Sequence, residues 1–459
     1  MNFKIEIEDY VTPANSALLT DYYQLTMCAA YLKNGHTGKA SFELFVRSMP
    51  PNRSYMMFAG LEQVVRYLSQ LHFAREKLEY LASKGIFDDD FLSYLGHFRF
   101  TGELHALEEG SIFFPGEPIM RVTAPLIEAQ LVETLLLNLV NFQVLAATKA
   151  SRVVHAARGK KVVDFGLRRC HGPDAGVRSA RSSYLAGFAG TSNVLAGIKY
   201  GIPLYGTIAH SFIMSYESEL EAFRAYANAF PSNCLLLIDT YDTLQGARNA
   251  VIVGKELEAR GSSLAGVRLD SGDLLKLSKQ VRAILDKGGF PNAKIFASGD
   301  LDEYKIDALL GKGAPIDSFG VGTSVGTSND APSLNVNYKL CEMADARGAM
   351  RPVMKFSADK RTLPGRKQVY REIDKNGFFA GDVIALDGEF ATRQPLLLRW
   401  MDEGRPSKRL AHLDDIRERA RQELGMLPDK YKVLLRAPAY PVKTSKGLEA
   451  LIKKFGKKR

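Results

Sequence analysis

VRLDSGD, the segment from Val267 to Asp273, joins a short β-branched apolar run to an aspartate, a serine and a glycine. Runs of the same kind, each followed at once by polar residues or glycine, recur through the middle of the chain: Val162-Val163, Leu204-Tyr205, Leu235 to Ile238, Ile295 to Ala297, Phe319 to Val321 and, more weakly, Val353 to Phe356. Their spacing is about 30 residues, the length of one strand–helix–strand unit. Helical patterns fill the gaps, as in Glu217 to Ala229 and Leu274 to Leu285. Strands that alternate with helices predict a parallel sheet.

Residues of types that take part in catalysis or ligand binding follow nearly every predicted strand. In chain order they are Asp164, His210, Asp239, Asp270, Gly299 with Asp300, and Gly320 with Gly322 and Gly326. A closed barrel builds its active site from the loops after all its strands, whereas an open doubly wound sheet binds ligands at one crevice. The distribution therefore favours an α/β barrel, and we assign it to residues 151–358.

The two flanks have a different pattern. Residues 1–150 mix strands (Ala40 to Val46, Phe98 to Leu107) with helices, which predicts an N-terminal α+β domain. Residues 359–459 resume short strands and end in an amphipathic helix, Asp414 to Leu424, before Gly425. We expect residues 359–459 to pack on the N-terminal domain and complete it, so that the barrel is inserted between the flanks.

Composition excludes several classes of protein. Hydrophobic residues make up 46% of the chain and charged residues 24%, the balance of a globular protein. The four cysteines have no CxxC spacing, which predicts reduced thiols in a cytoplasmic protein and no zinc site. MNFKIEIEDY at the N-terminus has acidic residues and no apolar core, so it does not predict a signal peptide. Leu126 to Ala147 is apolar but has leucines at helical spacing and two glutamates, which predicts a buried helix and no membrane span.

The net charge of +10 is concentrated at one end, because seven basic residues and one acidic residue lie between Lys443 and the C-terminus. A basic terminal run is usually a solvated segment, and the remaining charge suits small anions better than a duplex. No platform of interleaved aromatic and basic residues is present for single strands. We therefore expect no nucleic-acid partner.

A glycine-rich run, Gly320-Val-Gly322-Thr-Ser-Val-Gly326, has the composition of a phosphate-binding loop. Glycines expose backbone N–H groups, and hydroxyls such as that of Thr323 add donors. The run has one residue too many for the dinucleotide fingerprint, and the chain contains no GxxxxGK[ST] and no HExxH. Taken alone, the run would fit a plain surface turn equally well.

Arg268 and Asp270 lie two residues apart in a predicted strand, so they face the same side. With Asp239 and Asp242 after the preceding strand, they could bind a ribose diol and Mg²⁺ on a pyrophosphate, because Mg²⁺ prefers hard oxygen ligands. A simple salt bridge between Arg268 and Asp270 is the alternative.

Phe165 precedes two cations, Arg168 and Arg169. An aromatic face can stack on a planar anion while a guanidinium binds its carboxylate; the alternative is a surface arginine pair over a core phenylalanine. His210 follows a predicted strand, where a neutral imidazole could accept a phosphoryl group or a proton. A structural histidine is the alternative at that position.

Eight segments together resemble the nicotinate phosphoribosyltransferase family of type II phosphoribosyltransferases. They occur in family order, cover most of residues 15 to 360, and are LLTDYYQLTM (Leu18 to Met27), FELFVR (Phe42 to Arg47), DFGLRRCHGPDAG (Asp164 to Gly176), GTIAHSFIMSY (Gly206 to Tyr216), IDTYDT (Ile238 to Thr243), VRLDSGD (Val267 to Asp273), ASGD (Ala297 to Asp300) and GVGTSVGTS (Gly320 to Ser328). The resemblance implies an irregular (β/α) barrel with a second α+β domain built from both flanks, in a homodimer with shared active sites. It also implies that nicotinate and 5-phosphoribosyl 1-pyrophosphate give nicotinate mononucleotide and pyrophosphate, coupled to hydrolysis of ATP as co-substrate, in NAD salvage.

The resemblance also implies roles for individual residues. His210 would be phosphorylated by ATP and oriented by Asp239, and Asp239 and Asp270 would hold Mg²⁺. The implied nicotinate-binding residues are Tyr23, which could come from the neighbouring subunit, Phe165, Arg168, Ser192 and Arg268. The implied phosphoribosyl pyrophosphate-binding residues are Arg47, Asp270, Ser271, Gly299, Asp300, Gly320, Gly322, Thr323 and Lys339.

Other functions remain as alternatives. The related nicotinamide enzymes have an aspartate where this chain has Ser192, and an aspartate would repel a carboxylate, so Ser192 favours nicotinate. Quinolinate enzymes are shorter and lack the His210 segment. A non-catalytic binding protein on the same scaffold is disfavoured because His210, Asp239, Arg268 and Asp270 are all present.

Overall fold

The computed structural model describes residues 11–12, 15–356 and 362–456. The chain divides into two compact units, one made of Met1–Leu145 with Ser333–Arg459 and the other of Ala146–Pro332. The strands are β1 (Lys39–Val46), β2 (Met56–Met57), β3 (Glu103–Ala106), β4 (Ile112–Phe113), β5 (Pro118–Pro125), β6 (Lys161–Asp164), β7 (Gly190–Thr191), β8 (Cys234–Leu237), β9 (Leu264–Leu269), β10 (Lys294–Ala297), β11 (Ser318–Val321), β12 (Val336–Ala344), β13 (Met350–Pro352), β14 (Lys367–Ile373), β15 (Phe379–Leu386), β16 (Leu398–Asp402), β17 (Arg405–Pro406) and β18 (Val442–Thr444).

The α-helices are α1 (Tyr22–Lys33), α2 (Leu61–Gln70), α3 (Arg75–Ser83), α4 (Asp89–Gly96), α5 (Leu126–Leu131), α6 (Glu133–Ala156), α7 (Pro173–Leu185), α8 (Val194–Tyr200), α9 (His210–Met214), α10 (Glu219–Ala229), α11 (Thr243–Glu258), α12 (Leu274–Lys287), α13 (Glu303–Gly311), α14 (Thr323–Gly326), α15 (Leu413–Met426) and α16 (Lys446–Gly456).

The 146–332 unit contains the predicted barrel in an incomplete form. Its parallel strands follow the order β7-β6-β11-β10-β9-β8. The last strand, β11, pairs with the first, β6, and Leu204 adds a single bridge to Thr191 beyond β7. The order is therefore that of a closed (β/α) barrel. Within the described residues, however, no strand pairing joins Leu204 to β8, so the barrel is open at that place. The Leu204-Tyr205 run is too short to form a full strand before Gly206, which accounts for this gap in an otherwise confirmed irregular barrel.

The unit formed by both flanks is an α+β domain, as predicted. Its main sheet has the strand order β13-β12-β1-β5-β3-β16-β17, so three N-terminal strands lie at its centre with two C-terminal strands on each side. A smaller sheet has the order β14-β15-β18. The smaller sheet contributes Phe379 to a core cluster that also contains Phe114 and Tyr440, whose rings stack with centroids 3.6 Å apart.

The structural boundary between the units on the C-terminal side lies at residue 333, earlier than the expected 358. The reason is that β12 pairs with β1 from Ala40↔Met343 to Val46↔Val336. The prediction of a seventh barrel strand at Val353 to Phe356 is wrong, because β13 ends at Pro352 and belongs to the antiparallel sheet.

One helical stretch of the described chain, Leu126–Ala156, is long and apolar enough to cross a membrane, and 67% of its most apolar window is buried inside the protein. Every residue of α5 is buried. The stretch therefore has the properties of the buried core helix that the leucine spacing predicts.

Candidate active site

The loops that follow the barrel strands enclose a cleft with two lobes in the 146–332 unit. One lobe, of about 360 Å³, is lined by residues that include Ser192, Thr207 and His210. The other, of about 380 Å³, is lined by residues that include Gly299, Asp300, Gly320, Gly322 and Thr323. Both lobes share a common wall made of Phe165, Arg168, Arg268 and Asp270. We call them the ring lobe and the phosphate lobe.

A buried carboxylate sets the turn that presents Phe165. Asp164 ends β6, and its two carboxylate oxygens accept hydrogen bonds from the Gly166 N–H (2.8 Å) and the Thr191 hydroxyl (2.7 Å). Burial raises the pKa of Asp164, although these two hydrogen bonds oppose the shift. A Cβ on Gly320 would lie 2.6 Å from the Phe165 ring, so a glycine is required there for the ring to occupy its place.

Arg268 forms the other side of this wall and stacks on Phe165, with Cζ 5.4 Å from the ring centroid. Its Nε donates to Ser298 Oγ (2.8 Å), its Nη1 to Thr207 Oγ1 (3.0 Å) and its Nη2 to Asp270 Oδ1 (2.7 Å). A guanidinium has five N–H donors, so one remains on each Nη. A preorganised pair of donors beside an aromatic ring suits a planar carboxylate.

Asp270 is held as an anion. Its partial burial would raise its pKa, but the hydrogen bond from Ser298 Oγ (2.5 Å) and the charge of Arg268 outweigh burial and leave the pKa below its ordinary value. The expected placement of Arg268 and Asp270 on one face is confirmed by their 2.7 Å ion pair. This pair belongs to the cleft wall, so the salt bridge and the binding role are compatible.

His210 begins α9 at the edge of the ring lobe, with its side chain 41% exposed. Its Nδ1 lies 3.0 Å from Thr240 Oγ1, and its Nε2 lies 3.9 Å from Asp270 Oδ2. The residue expected to orient it, Asp239, has other partners: Asp239 Oδ2 accepts from the Asp270 N–H (2.9 Å) and the Ser271 hydroxyl (2.6 Å). Thr240 therefore holds the histidine, and Asp239 supports the loop that carries Asp270.

The phosphate lobe is shaped by close backbone approaches. Gly299 has a φ of +94°, and a Cβ there would lie 1.9 Å from the Asp270 carbonyl oxygen, so no other residue fits. The hydroxyls of Ser324 and Thr327 donate to the carbonyls of Leu301 (2.8 Å) and Thr323 (2.7 Å). Thr323, which the sequence predicts as a hydroxyl donor of the glycine-rich run, lines this lobe.

Arginines supply the positive charge of the phosphate lobe. Arg168, Arg169 and Arg268 all line it, as do Gly320 and Gly322 of the glycine-rich run. Exposed N–H groups together with guanidinium cations are the donor set that phosphate oxygens require.

The carboxylates fit a magnesium ion that keeps most of its ligands from water and substrate. Within the described residues, the buried Asp239 Oδ1 has no hydrogen-bond partner. No group of three or more acidic, histidine or cysteine side chains in the described chain could hold a metal. Mg²⁺ in phosphate-transfer sites is commonly bound by one or two carboxylates plus phosphates, so Asp239 and Asp270 are a sufficient protein contribution.

Three predicted site residues lie in the unit formed by both flanks. Tyr23 is in α1, with 49% of its surface exposed. Arg47 follows β1 and Lys339 lies in β12, and both line a cavity of about 160 Å³ together with Glu43 and Lys367. These residues form a second cationic pocket within that unit.

Several contacts of the cleft were missed by sequence reasoning. Thr207, Thr240 and Ser298 position His210, Arg268 and Asp270 through the hydrogen bonds described above. Each lies in a polar run directly after a barrel strand or beside a predicted residue. That location was the available signal, but the hydroxyls resemble ordinary turn residues in sequence.

Three family models match the chain. The model described as the nicotinate phosphoribosyltransferase (NAPRTase) N-terminal domain matches residues 18–141, the NAPRTase family model matches residues 160–363, and the nicotinate phosphoribosyltransferase C-terminal domain matches residues 388–452. The chain is 48% identical to a nicotinate phosphoribosyltransferase of Mycobacterium tuberculosis, over 94% of this chain and 91% of that protein. It is 40% identical to the Bacillus subtilis nicotinate phosphoribosyltransferase, over 94% and 93% of the two chains.

Solved structures agree with these sequence relatives. The human nicotinic acid phosphoribosyltransferase structure aligns with a TM-score of 0.85 and 30% identity, covering 95% of this chain and 99% of the human chain. A nicotinate-nucleotide pyrophosphorylase structure from Pyrococcus furiosus aligns with a TM-score of 0.72 and 24% identity, over 93% and 98% of the chains, and shares the fold.

Proposed function

The chain belongs to the nicotinate phosphoribosyltransferase family, and we propose that its cleft joins nicotinate to 5-phosphoribosyl 1-pyrophosphate as an entry step of NAD salvage. The products are nicotinate mononucleotide and pyrophosphate. The observation that carries the proposal is the shared wall of the two lobes, where Arg268 is stacked on Phe165 and paired with Asp270. In this proposal the wall separates a site for a planar carboxylate from a neighbouring site for phosphates.

The ring lobe orients the nucleophile. The pyridine ring stacks on Phe165, and the two remaining N–H groups of Arg268, with Arg168, bind the carboxylate. Ser192 lines the same lobe without adding negative charge. An aspartate at that place would repel nicotinate and accept hydrogen bonds from an amide, so the lobe favours nicotinate over nicotinamide.

The phosphate lobe orients the electrophile. The backbone of Gly299, Gly320 and Gly322 and the Thr323 hydroxyl bind the 5′-phosphate, and Asp270 accepts hydrogen bonds from the ribose hydroxyls. The pyridine nitrogen then forms a bond to the anomeric carbon as the bond from that carbon to pyrophosphate breaks. Positive charge develops on the sugar, and the ionised Asp270 stabilises it while the cations stabilise the leaving group. Asp239 and Asp270 would hold Mg²⁺, which when bound neutralises pyrophosphate charge.

We assign the ATP step to His210. Thr240 engages Nδ1, which leaves Nε2 as the ring nitrogen that faces Asp270. Nε2 attacks the γ-phosphorus of ATP, a nitrogen–phosphorus bond forms, and ADP leaves. The phosphohistidine adds negative charge and acceptor oxygens next to the shared wall, and its hydrolysis completes the cycle.

The remaining residues suit an oligomeric arrangement. We propose a cytoplasmic homodimer with shared sites, in which Tyr23 covers the pyridine ring and Arg47 and Lys339 contact the pyrophosphate. Their support is the exposure of Tyr23 and the common cationic pocket of Arg47 and Lys339.

Product formation tests the function directly. Wild-type protein and His210→Ala would be incubated with 5-phosphoribosyl 1-pyrophosphate and Mg²⁺, with nicotinate or nicotinamide, and with or without ATP. We expect nicotinate turnover that ATP stimulates, and loss of that stimulation in the variant. Turnover of nicotinamide instead would overturn the role of Ser192, and no turnover with either substrate would overturn the proposed function.

A further inference from the structure

A buried charge network lies in the barrel unit, outside the residues that line the two lobes. Lys149, on the second half of α6, is 1% exposed, and its Nζ lies 2.7 Å from Glu303 Oε2 and 2.9 Å from Asp330 Oδ1. Glu303 is completely buried, and its Oε1 accepts a hydrogen bond from Arg152 Nε (3.0 Å). Tyr304 covers both cations, with its ring centroid 5.6 Å from Lys149 Nζ and 5.8 Å from Arg152 Cζ.

The two carboxylates of this network come from the two loops that form the phosphate lobe. Glu303 is the first residue of α13, directly after the loop that carries Gly299 and Asp300. Asp330 lies four residues after the end of α14, the short helix that follows Gly322. One ammonium group therefore connects the segments behind both loops.

The two loops are also in direct contact. Ser324 Oγ of one loop donates to the Leu301 carbonyl oxygen of the other (2.8 Å). Within the segment after β10, Lys305 Nζ donates to the Asp300 carbonyl oxygen (2.6 Å). Asp300 has a φ of +53°, a conformation that a non-glycine residue adopts only when its surroundings hold it. The two loops are thus joined by the Ser324–Leu301 hydrogen bond as well as through Lys149.

Burial of a charged pair is costly, and an apolar replacement is often as stable. A network in which one buried lysine joins two loops can still fix the distance between those loops, whereas apolar packing would let that distance vary. We propose that Lys149, through Glu303 and Asp330, is a positioning residue that sets the separation of the two phosphate-lobe loops and so the affinity for the phosphoribosyl substrate. This inference rests on the proposed function.

The first test compares Lys149→Met and Asp330→Asn with wild type. Asp330→Asn removes the negative charge that faces Lys149 from the loop after β11, and the partly exposed Asp330 position makes it the milder change. We expect both to raise the KM for 5-phosphoribosyl 1-pyrophosphate by about tenfold, because small displacements of positioning groups carry large kinetic effects. The KM for nicotinate should stay within about twofold, and Lys149→Arg should recover part of the loss.

Asp307→Asn is the matched control. Asp307 lies on the same helix, α13, and pairs with Arg158 at 2.7 Å, but both side chains are about half exposed. This pair links the segment after α6 to α13 without reaching either loop. Its loss should leave both KM values unchanged.

Direct binding of 5-phosphoribosyl 1-pyrophosphate, measured by titration calorimetry, separates substrate affinity from turnover for every variant. Weaker binding in Lys149→Met and Asp330→Asn at unchanged nicotinate KM supports the inference. An equal rise of both KM values, or lowered thermal stability alone, overturns it by showing a merely structural network. Failure of wild type to form nicotinate mononucleotide would overturn the proposed function instead, and the calorimetric comparison would still decide the role of Lys149.

Discussion

The imidazole of His210 has two ring nitrogens in different surroundings, and this asymmetry decides which nitrogen can react. Nδ1 is engaged by the Thr240 hydroxyl, whereas Nε2 faces Asp270 at the cleft. The hydrogen bond at one ring nitrogen sets the tautomer and the orientation of the other. Thr240 therefore has a defined role even though it is one hydroxyl in a polar turn.

We expect Thr240→Val, which keeps the shape and removes the hydroxyl, to reduce phosphohistidine formation from ATP by about tenfold, in the range of such orienting contacts. Turnover without ATP should change little. Radiolabelled phosphate retained on the protein measures the first quantity, and nicotinate mononucleotide formation the second. Ser215→Ala is the control, since the exposed Ser215 hydroxyl donates to the Phe212 carbonyl oxygen near α9. Equal labelling of wild type and Thr240→Val would contradict the assignment.

At the scale of elements, the aspartates after the barrel strands divide into two groups. Asp239, two residues after β8, and Asp270, directly after β9, belong to the cleft and its support. The aspartates that immediately precede the helices after β8, β9 and β10 are helix caps. Asp242 accepts from the Gln245 N–H (2.7 Å), Asp273 from the Lys276 N–H (3.1 Å) and Asp302 from the Lys305 N–H (2.8 Å). Capping satisfies an N–H that the first turn of the helix leaves free.

This division predicts opposite outcomes for two neighbouring substitutions. Asp273→Ala should lower the free energy of unfolding by about 1 kcal/mol, the usual effect of losing a cap, with nicotinate turnover within about twofold of wild type. Asp270→Ala should abolish turnover. Urea unfolding and steady-state assays measure the two effects, and Asp273→Ser, which can still cap, is the control. A large loss of turnover in Asp273→Ala with intact stability would place Asp273 in the cleft.

The sequence predicted the barrel strands well because buried parallel strands are apolar runs followed at once by polar turns. It missed β7, since Gly190-Thr191 is too short and too polar to form such a run. It also placed the barrel boundary at 358, because an apolar run carries no information on which sheet it joins, and β12 pairs with β1, nearly three hundred residues away in sequence.

The sequence predicted those residues of the candidate site that lie at or just after the ends of predicted strands. Phe165, Arg168, Arg268, Asp270 and His210 meet around one cleft for that reason. The contact between His210 and Thr240 depends on how two loops separated by thirty residues meet. No local pattern encodes such a meeting.

At the scale of the whole molecule, the unit formed by both flanks contains a buried cluster of charges that makes its stability depend on pH. Arg371 lies 2.7 Å from the buried Asp382 and 2.9 Å from Glu423. Burial and then the charge of Asp382 raise the pKa of the nearby Glu117 well above its ordinary value of 4.5, although Arg371 opposes the shift. Tyr440, whose hydroxyl donates to Asp382 Oδ1 (3.1 Å), completes the cluster.

A carboxyl whose pKa is higher in the folded protein stabilises the fold fully below its unfolded pKa, and this contribution is lost as the pH rises through the folded value. We therefore expect Glu117→Gln to gain stability relative to wild type as the pH rises above 4.5. Urea unfolding of both proteins across that range measures the difference. A constant difference for Glu117→Gln would show that folding does not raise the pKa of Glu117, and would contradict the prediction.

The proposed homodimer makes a prediction about two residues in different units of the chain, Tyr23 and His210. If Tyr23 acts on the neighbouring subunit's site, Tyr23→Ala and His210→Ala are each defective alone. In a hybrid dimer, however, one site has both defects and the other has none. Random reassociation makes half of the dimers hybrid in a symmetric pair, so an equal mixture should regain about a quarter of wild-type ATP-stimulated turnover.

Co-expression with two different tags, followed by tandem purification, gives the hybrid alone, which should have about half of wild-type activity. If the hybrid stays as inactive as its parents, Tyr23 acts on its own chain's site and the shared-site arrangement fails.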